Sequence, residues 1–142
     1  MITTMTRAHL APCVSLYIET FSAPPWNESW RADDAAQRLG EFLTTPRAVG
    51  LCLLDDGGRL LRFALGHLER FGAEDHFLLK EMCVRLSEQR RGHGTRILQA
   101  LAERLGEVQH WYLLTARDGS AAAFYARNGF RSAGRMGVFV RP

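Results

Sequence analysis

The sequence predicts a mixed α/β fold, with one sheet and helices packed on its faces. Apolar runs typical of strands alternate along the 142 residues with apolar stripes at the helical period of about 3.6 residues. Residues 77–84 are apolar on both faces, as in a strand covered on two sides, and they lead through a glycine turn into a helical stripe over residues 97–105. With 46% hydrophobic and 23% charged residues, we expect one globular domain over residues 1–142.

The N-terminal half supplies the first two helices and a hairpin. A short strand is expected within residues 1–7, and a helix over residues 10–21 has a proline near its start, where proline is tolerated. A second helix is expected over about residues 31–43. Two strands, over residues 49–54 and 60–70, flank an acidic turn with two glycines and form a β-hairpin.

The C-terminal half completes the sheet. A looser turn at residues 71–75 leads into the strand over residues 77–84, so strands two to four form an antiparallel meander. The helix that follows is a crossover, so the next strand, over residues 110–115, lies parallel to the fourth. A short helix over about residues 118–127 and one or two strands within residues 130–140 end the chain, which gives about four helices.

The connection between the fourth strand and the following helix has the character of an anion site. It reads Q-R-R-G-H-G-T over residues 89–95. A strand that turns through glycines into a helix presents unpaired backbone N–H groups and the positive end of the helix dipole. The arginines that bracket this turn are Arg85, Arg90, Arg91 and Arg96. A phosphate or pyrophosphate fits the arrangement, although the glycine spacing matches neither a P-loop nor a dinucleotide fingerprint.

Two motifs carry a family resemblance. The spacing Gln89-x-x-Gly92-x-Gly94 resembles the acetyl-CoA-binding motif of the GNAT superfamily of N-acetyltransferases. Residues 124–130 read F-Y-A-R-N-G-F and resemble the family's F-Y-x-x-x-G-F ending, with a strand between the two motifs. The resemblance covers roughly residues 45–142. It implies the GNAT fold and transfer of an acetyl group from acetyl-CoA, the cosubstrate, to a primary amine.

The resemblance also implies where acetyl-CoA binds. The pyrophosphate is expected on the amides of residues 90–95, and the pantetheine arm alongside residues 82–84 as a pseudo-strand. The implied cofactor-binding residues are Met82, Cys83, Val84, Gln89, Arg90, Arg91, Gly92, His93, Gly94, Thr95, Asp118 and Phe124. Asp118 stands where the family often has asparagine, and an ionised aspartate cannot donate a hydrogen bond to the cofactor.

Acetyl transfer to an amine requires a base, an oxyanion donor and an acid for the departing thiolate. By the resemblance, Tyr125 is the expected acid and the N–H near Cys83 the oxyanion donor; packing of its helix is the alternative role for Tyr125. Glu81 is the expected base. Strand alternation places its side chain on the face of Phe77, Leu79 and Cys83, where apolar neighbours raise a carboxyl pKa. The alternative is a buried glutamate paired with an arginine or a histidine.

The loop over residues 22–30, S-A-P-P-W-N-E-S-W, is expected to contact the acceptor. It resembles the A-P-P-W-N-E/D-x-W segment of GNAT members similar to aminoglycoside 6′-N-acetyltransferases. Trp26, Glu28 and Trp30 are therefore the expected substrate-binding residues. The alternative is a hydrophobic staple that holds the next helix against the core. The acceptor implied by the resemblance is a small molecule or a peptide, and the sequence does not distinguish aminoglycoside, polyamine, amino-acid and peptide amines.

Composition narrows the partners and the compartment. A net charge of +3 and the lack of a long basic run argue against nucleic acid as a partner. No apolar run approaches membrane length and the N-terminus shows no signal-peptide pattern, so we expect neither membrane insertion nor secretion. The widely spaced cysteines Cys13, Cys52 and Cys83 indicate reduced thiols in a cytoplasmic protein.

Two further expectations concern metals and assembly. The histidines His9, His67, His76, His93 and His110 show no metal-ligand spacing such as H-E-x-x-H, so no metal is expected. The apolar C-terminal strand is suited to pairing across a homodimer. A CoA-binding regulatory or interaction module that has lost catalysis is the alternative to an enzyme.

Overall fold

The computed structural model describes residues 1–89 and 91–142, and of His93 the backbone alone. Besides two 3₁₀ turns, Arg7–His9 and Leu86–Glu88, the chain forms five strands and four α-helices within these ranges. In order they are β1 (Ile2–Thr4), α1 (Leu10–Ser22), α2 (Ala32–Leu43), β2 (Ala48–Leu54), β3 (Leu60–Phe71), β4 (Glu74–Val84), α3 (His93–Leu105), β5 (His110–Tyr112) and α4 (Ser120–Arg127). This is the mixed α/β architecture predicted from the sequence. None of the helices formed by the described residues is long and apolar enough to cross a bilayer.

The five strands form one sheet in the order β1-β2-β3-β4-β5. Strands β2 to β4 form an antiparallel meander and β5 pairs parallel to β4 after the α3 crossover, as the sequence predicts. Strand β1 pairs antiparallel to β2. The connection between β3 and β4 differs from the looser turn expected at residues 71–75. Phe71 pairs with Glu74 and Gly72 adopts a φ of 62°, so a two-residue loop closes a tight hairpin.

Local chemistry sets the helix boundaries. Asp33 and Asp34 lie in the first turn of α2, where carboxylates interact favourably with the helix dipole. Helix α3 follows Gly92, whose φ of 75° and ψ of 9° are left-handed, and it ends at Gly106, whose φ is 62°. Both glycines occupy backbone conformations that other residues adopt only with strain.

Two apolar clusters cover opposite faces of the sheet. The first packs α1 and α2 onto the sheet, and its buried residues include Leu16, Leu39, Phe63, Leu65 and Cys83. The second packs α3 onto the other face, and its buried residues are Leu51, Ala64, Phe77, Leu79, Ile97, Leu98 and Leu101. Phe124 and Tyr125 of α4 pack against this second cluster. The sheet therefore separates an α1–α2 layer from an α3–α4 layer.

A β-bulge interrupts the middle of β4. Leu65 pairs with Glu81 whereas the next residue of β3, Gly66, pairs with Leu79, so Lys80 is an extra residue in β4. An extra residue shifts the phase of side-chain alternation by one position. Side chains before and after Lys80 therefore do not follow one continuous in-and-out pattern.

Strand β5 is shorter than expected, and this leaves one edge of β4 open. The β4–β5 ladder joins residues 76–78 to residues 110–112, whereas the sequence predicts a strand over residues 110–115. Residues 79–84 of β4 have β3 on one side and, within the described chain, no paired strand on the other. Because backbone groups alternate in direction, half of the N–H and C=O groups in this stretch face the open edge.

The C-terminal segment does not form the one or two strands predicted there. Residues 130–142, all described, contain neither strand nor helix. The exposed fractions of its apolar side chains are 76% for Met136, 70% for Val138, 96% for Phe139 and 82% for Val140. The apolar pattern that predicts a strand has no strand partner in the single chain. Pairing of this segment across a homodimer stays a prediction.

Candidate active site

The glycine turn connects the end of β4 to α3. Gly92 is the N-cap of α3, and the space beside it is open, since a Cβ there would meet no atom within 4 Å. Gln89 donates from Nε2 to the carbonyl oxygen of Val84 at 3.1 Å, which closes the turn onto the end of β4. The first N–H groups of α3 have no intrahelical acceptor, so the turn keeps the donors that an anion requires. Arg90, expected to contribute here, lies outside the described residues.

The arginines near the turn differ in what they contact. Arg85 donates Nε and Nη2 to the carbonyl oxygen of Leu60, at 2.9 and 2.8 Å, and Nη1 to Glu19 at 3.0 Å. It therefore ties β3 and α1 to the end of β4, and its charge is committed to the scaffold rather than to the turn. Arg91 and Arg96 are exposed beside the turn, and Nη1 of Arg91 lies 4.0 Å from Oε2 of Glu88.

Sequence patterns give no sign of a buried arginine beneath the turn. Arg62 of β3 pairs with Val84 and has 0% of its surface exposed. Its nitrogens Nε, Nη1 and Nη2 have no hydrogen-bond partner among the described residues. Burial lowers the pKa of Arg62 to about 10, with Arg96 contributing in the same direction and Glu88 opposing it. Since Arg62 pairs with Val84 at the end of β4, its guanidinium lies near the start of the turn.

Glu81 reaches the α2 side of the sheet because of the bulge at Lys80. Its side chain is 8% exposed and accepts a hydrogen bond from Nε of Arg38 at 3.0 Å. Burial raises the pKa of Glu81, and the hydrogen bond from Arg38 opposes this effect. The carboxyl of Glu81 has a raised pKa, as expected for a base. It is also paired with an arginine, as expected for a buried structural glutamate.

The expected grouping of Glu81 with three apolar residues is partly wrong. Cys83 belongs to the cluster on the α1–α2 face, which Glu81 shares. Phe77 and Leu79 instead pack against α3 on the other face. Strict alternation fails because Lys80 shifts the phase of the strand between these residues.

Tyr125 approaches the same edge of β4 from the α3–α4 face. Its ring packs against Phe124 and Phe130, with centroid separations of 5.3 and 5.4 Å. Burial, followed by the charges of Cys83 and Glu81, raises the pKa of Tyr125 to about 12. Tyr125 packs on the α3 cluster whereas Glu81 is bound by Arg38 of α2, so the two residues lie on opposite faces of the sheet. The hydroxyl makes no hydrogen bond to another described residue.

Gly94 allows α4 to pack against the start of α3. A Cβ at Gly94 would lie 2.8 Å from Cζ of Phe124, so the ring occupies the space that any other side chain would need. Phe124 directly precedes Tyr125 in α4. The contact between the turn and α4 therefore fixes the position of the phenol.

The loop between α1 and α2 lies on the Glu81 side of the sheet. Trp30 packs edge-on against Tyr17 at a centroid separation of 5.1 Å, and its Nε1 donates to Oε1 of Glu28 at 2.9 Å. The guanidinium of Arg38, which binds Glu81, lies 5.9 Å from the Trp30 ring centroid. Trp30 thus packs as the hydrophobic staple requires, and it also connects the loop to Glu81 through Arg38.

The other expected residues differ in exposure. Trp26 is 40% exposed and its ring lies 5.2 Å from that of Phe21. Asp118 is exposed in the segment that precedes α4. The half-buried residues along β4 and the start of α3 are Met82, Val84 and Thr95. Among the described residues, no contact of Asp118 supplies the hydrogen-bond donor that the side-chain amide of an asparagine would offer to the cofactor.

A family model for the acetyltransferase (GNAT) domain matches residues 48–132. The chain belongs to the GNAT acetyltransferase family, and its reaction class is acetyl transfer that depends on acetyl-CoA. The matched residues span β2 to α4 and include the glycine turn, Glu81 and Tyr125. No curated protein matches the sequence significantly.

Solved structures resemble the chain over its whole length. Aminoglycoside antibiotic 6′-N-acetyltransferase AAC(6′)-Ih from Acinetobacter baumannii has a TM-score of 0.75 and 15% identity, covering 100% of this chain and 97% of that one. Aminoglycoside N-acetyltransferase AAC(6′)-Iy in complex with CoA has a TM-score of 0.74 and 18% identity, with coverages of 100% and 93%. A possible acetyltransferase from Clostridium difficile 630 has a TM-score of 0.80 and 9% identity, with coverages of 100% and 97%. At these identities the likeness shows the fold.

Replacing Arg62 by methionine should stabilise the ligand-free protein. The lowered pKa means that the folded protein holds the Arg62 proton less tightly than the unfolded chain, so the buried charge opposes folding at neutral pH. An apolar side chain of similar length should raise the free energy of unfolding by about 1 to 3 kcal/mol in urea denaturation. The control is Arg104→Met at an exposed position of α3. It should shift the free energy of unfolding by less than about 0.5 kcal/mol. Destabilisation by Arg62→Met would show that the guanidinium is satisfied in the folded protein.

Proposed function

We propose that this protein transfers the acetyl group of acetyl-CoA directly to a primary amine of a small molecule or peptide. The observation that carries the proposal is the open edge of β4 over residues 79–84. It extends from the bulge to the glycine turn, and Glu81 and Tyr125 approach it from opposite faces. A linear cofactor with an anionic end and a reactive end needs an anion site, then an edge to pair with, then proton-transfer groups. The glycine turn, the open edge and the pair Glu81 and Tyr125 offer these in that order.

The residues present fit acetyl-CoA. Those backbone groups of Met82, Cys83 and Val84 that face the open edge are suited to pair with the amides of a pantetheine arm as an added strand would. The Val84 carbonyl is an exception, since it already accepts from Gln89 at 3.1 Å. The amides after Gly92 are suited to a pyrophosphate, and the Arg62 guanidinium, which has no hydrogen-bond partner among the described residues, lies near the end of β4 where the turn begins. The remaining residues proposed to line this cofactor site are Gln89, Arg90, Arg91, His93, Gly94, Thr95, Asp118 and Phe124.

Acetyl-CoA supplies an activated thioester, and the protein's own residues move the protons. Glu81, with its raised pKa, accepts a proton from the attacking amine directly or through water. Tyr125, with a pKa of about 12, stays protonated at neutral pH and donates a proton to the departing thiolate. The N–H near Cys83 stabilises negative charge on the carbonyl oxygen. Direct transfer by these groups requires no covalent enzyme intermediate.

Trp26, Glu28 and Trp30 are proposed to contact the acceptor. Glu28 is an exposed carboxylate held in place by Trp30, and it is suited to attract a cationic amine toward Glu81. Two of the similar structures are aminoglycoside N-acetyltransferases, so aminoglycosides belong in the panel of amines to be tested, beside polyamines, amino acids and peptides. We propose that residues 1–142 act as one domain in the cytoplasm, where the free thiols Cys13 and Cys52 stay reduced.

Substituting Gly92 by tryptophan should abolish acetyl-CoA binding. The indole would occupy the open space beside the turn and strain a backbone with φ of 75°. Isothermal titration calorimetry should give a micromolar dissociation constant for the wild type and no measurable heat for Gly92→Trp. Gly134→Trp, an equally large change at an open position outside the turn, should bind as the wild type does. Absence of binding to the wild type would contradict the proposed function.

Tyr125→Phe should lower kcat by about 100-fold or more, because the departing thiolate loses its proton donor. The KM for acetyl-CoA should change far less, since the ring and its packing are kept. Tyr112→Phe removes a phenol of β5, outside the open edge of β4, and should leave kcat near the wild-type value. An unchanged kcat in Tyr125→Phe would leave Tyr125 with its packing role. Tight acetyl-CoA binding without turnover of any amine by the wild type would favour the alternative of a CoA-binding module.

The pH dependence of kcat/KM should report the ionisation of Glu81. Only the carboxylate accepts a proton, and burial raises its pKa, so kcat/KM should fall with decreasing pH already above the ordinary carboxyl range. Glu81→Gln should lose this acidic limb and lower kcat/KM by about 100-fold or more at neutral pH. Glu41→Gln on α2, where Glu41 accepts from Gln37 at 3.0 Å, should keep the limb. If the pH dependence of kcat/KM in Glu81→Gln were the same as in the wild type, Glu81 would be excluded as the base.

A further inference from the structure

A cluster of metal-ligating side chains lies at the other end of β4, away from the proposed active site. The parallel ladder pairs His76 of β4 with His110 of β5, although the two are distant in sequence. Glu74, two residues before His76, lies on the same side of the strand. Its Oε2 is 3.7 Å from Nε2 of His76 and 3.7 Å from Nε2 of His110. The sheet thus brings together ligands that no sequence motif joins.

The geometry of the cluster is compact and partly fixed. Ligand atoms from all three residues lie within 4.8 Å of one another. The two imidazole centroids are 5.0 Å apart. Phe71 stacks on the ring of His76, with a centroid separation of 4.7 Å and an interplanar angle of 19°. His76 is therefore held by its neighbour, while the more exposed side chains of Glu74 and His110 can adjust to an ion.

We propose that Glu74, His76 and His110 bind a divalent transition-metal ion, of which Zn²⁺ is the probe to use first. Imidazole nitrogen and carboxylate oxygen bind Zn²⁺ at about 2.0 to 2.2 Å, and around a tetrahedral ion such atoms lie roughly 3.4 Å apart. The two Glu–His separations of 3.7 Å are close to that value. All the ligand atoms lie within 4.8 Å of one another, so the exposed side chains of Glu74 and His110 have to move inward to bind the ion. Two histidines and one carboxylate leave the remaining coordination positions open.

The charges around the cluster favour a cation. Glu69 of β3 lies beside His76 in the β3–β4 ladder, and the hydroxyl of Tyr112 donates to it, which holds this second carboxylate next to the cluster. Arg70, a nearby cation, is paired with Asp75 at 3.2 Å, although Asp75 also binds Arg47 at 2.6 and 3.0 Å, so this carboxylate offsets the Arg70 charge only in part. The Glu74 carboxylate remains directed at the two imidazoles.

Room for the remaining ligands is provided by an adjacent cavity. The cavity has a volume of about 590 Å³, and Glu74, Glu107 and His110 are among the residues that line it. Water molecules in this space complete the coordination of the ion. A bound ion joins β4 to β5 where the two strands are paired, below the point where they separate. None of the three proposed metal ligands is among the residues proposed to bind acetyl-CoA.

The test is calorimetric titration of ZnCl₂ into the untagged full chain after treatment with a chelator and its removal. One ion per chain is expected. Glu74→Gln and His110→Gln should each weaken binding by about tenfold or more, because each removes one of three ligands. His9→Gln removes an imidazole elsewhere and should bind zinc as the wild type does. No saturable binding by the wild type, or unchanged affinity in both cluster variants, would overturn the proposal.

A spectroscopic measurement identifies the ligands directly. Co²⁺ bound in place of Zn²⁺ should give visible ligand-field bands of a low-coordinate site in the wild type, and these bands should be lost in His110→Gln. The positions of Glu74 and His110 are 63% and 66% exposed, so the metal-free variants should keep the wild-type circular dichroism spectrum and unfolding midpoint. Cobalt bands that persist in both variants would place the ion elsewhere and refute the assignment.

Discussion

The bulge at Lys80 decides which face of the sheet the candidate catalytic groups reach. In a regular strand Glu81 would face α3, on the side of Leu79, and would have no access to Arg38. The bulge turns it to the α2 side. It forms opposite Gly66, where a Cβ would overlap the neighbouring strand, so close pairing there depends on glycine. Pairing with β5 also ends just before the bulge, so one short stretch combines an open edge with a change of phase.

The sequence predicts those parts of the structure that depend on local chemistry. Helix stripes, the acidic hairpin turn and the glycine turn are each encoded within a few residues, and the observed elements match them closely. Gly92 illustrates this well, because its left-handed cap requires glycine for a reason that acts at that position alone. Gly94 differs, since glycine is required there by the distant ring of Phe124. The order of the elements then limits the topology to a meander followed by a parallel strand.

The features that the sequence does not predict depend on register between distant strands. The phase change at Lys80 has no residue signature, since it arises from how β3 and β4 are paired. Arg62 reads as an ordinary outward charge until its neighbours are known to cover it. His76 and His110 meet only because a parallel ladder aligns them. In the C-terminal segment the sequence predicts a strand that the structure lacks. An apolar pattern forms a strand only where the edge of another strand is available to pair with it.

The contact between Gly94 and Phe124 has a consequence for the length of the acyl carrier. The ring rests where a Cβ would be, so the N-terminus of α3 and the phenol of Tyr125 are held at a set spacing. In the proposed mechanism the anion binds at one end of this spacing and the proton donor lies at the other, so the two positions would set the length of the bound carrier. A thioester on an arm shorter or longer than that of CoA would stop away from the phenol. Packing of one glycine against one ring would then discriminate among thioesters by the reach of the carrier rather than by the identity of the acyl group.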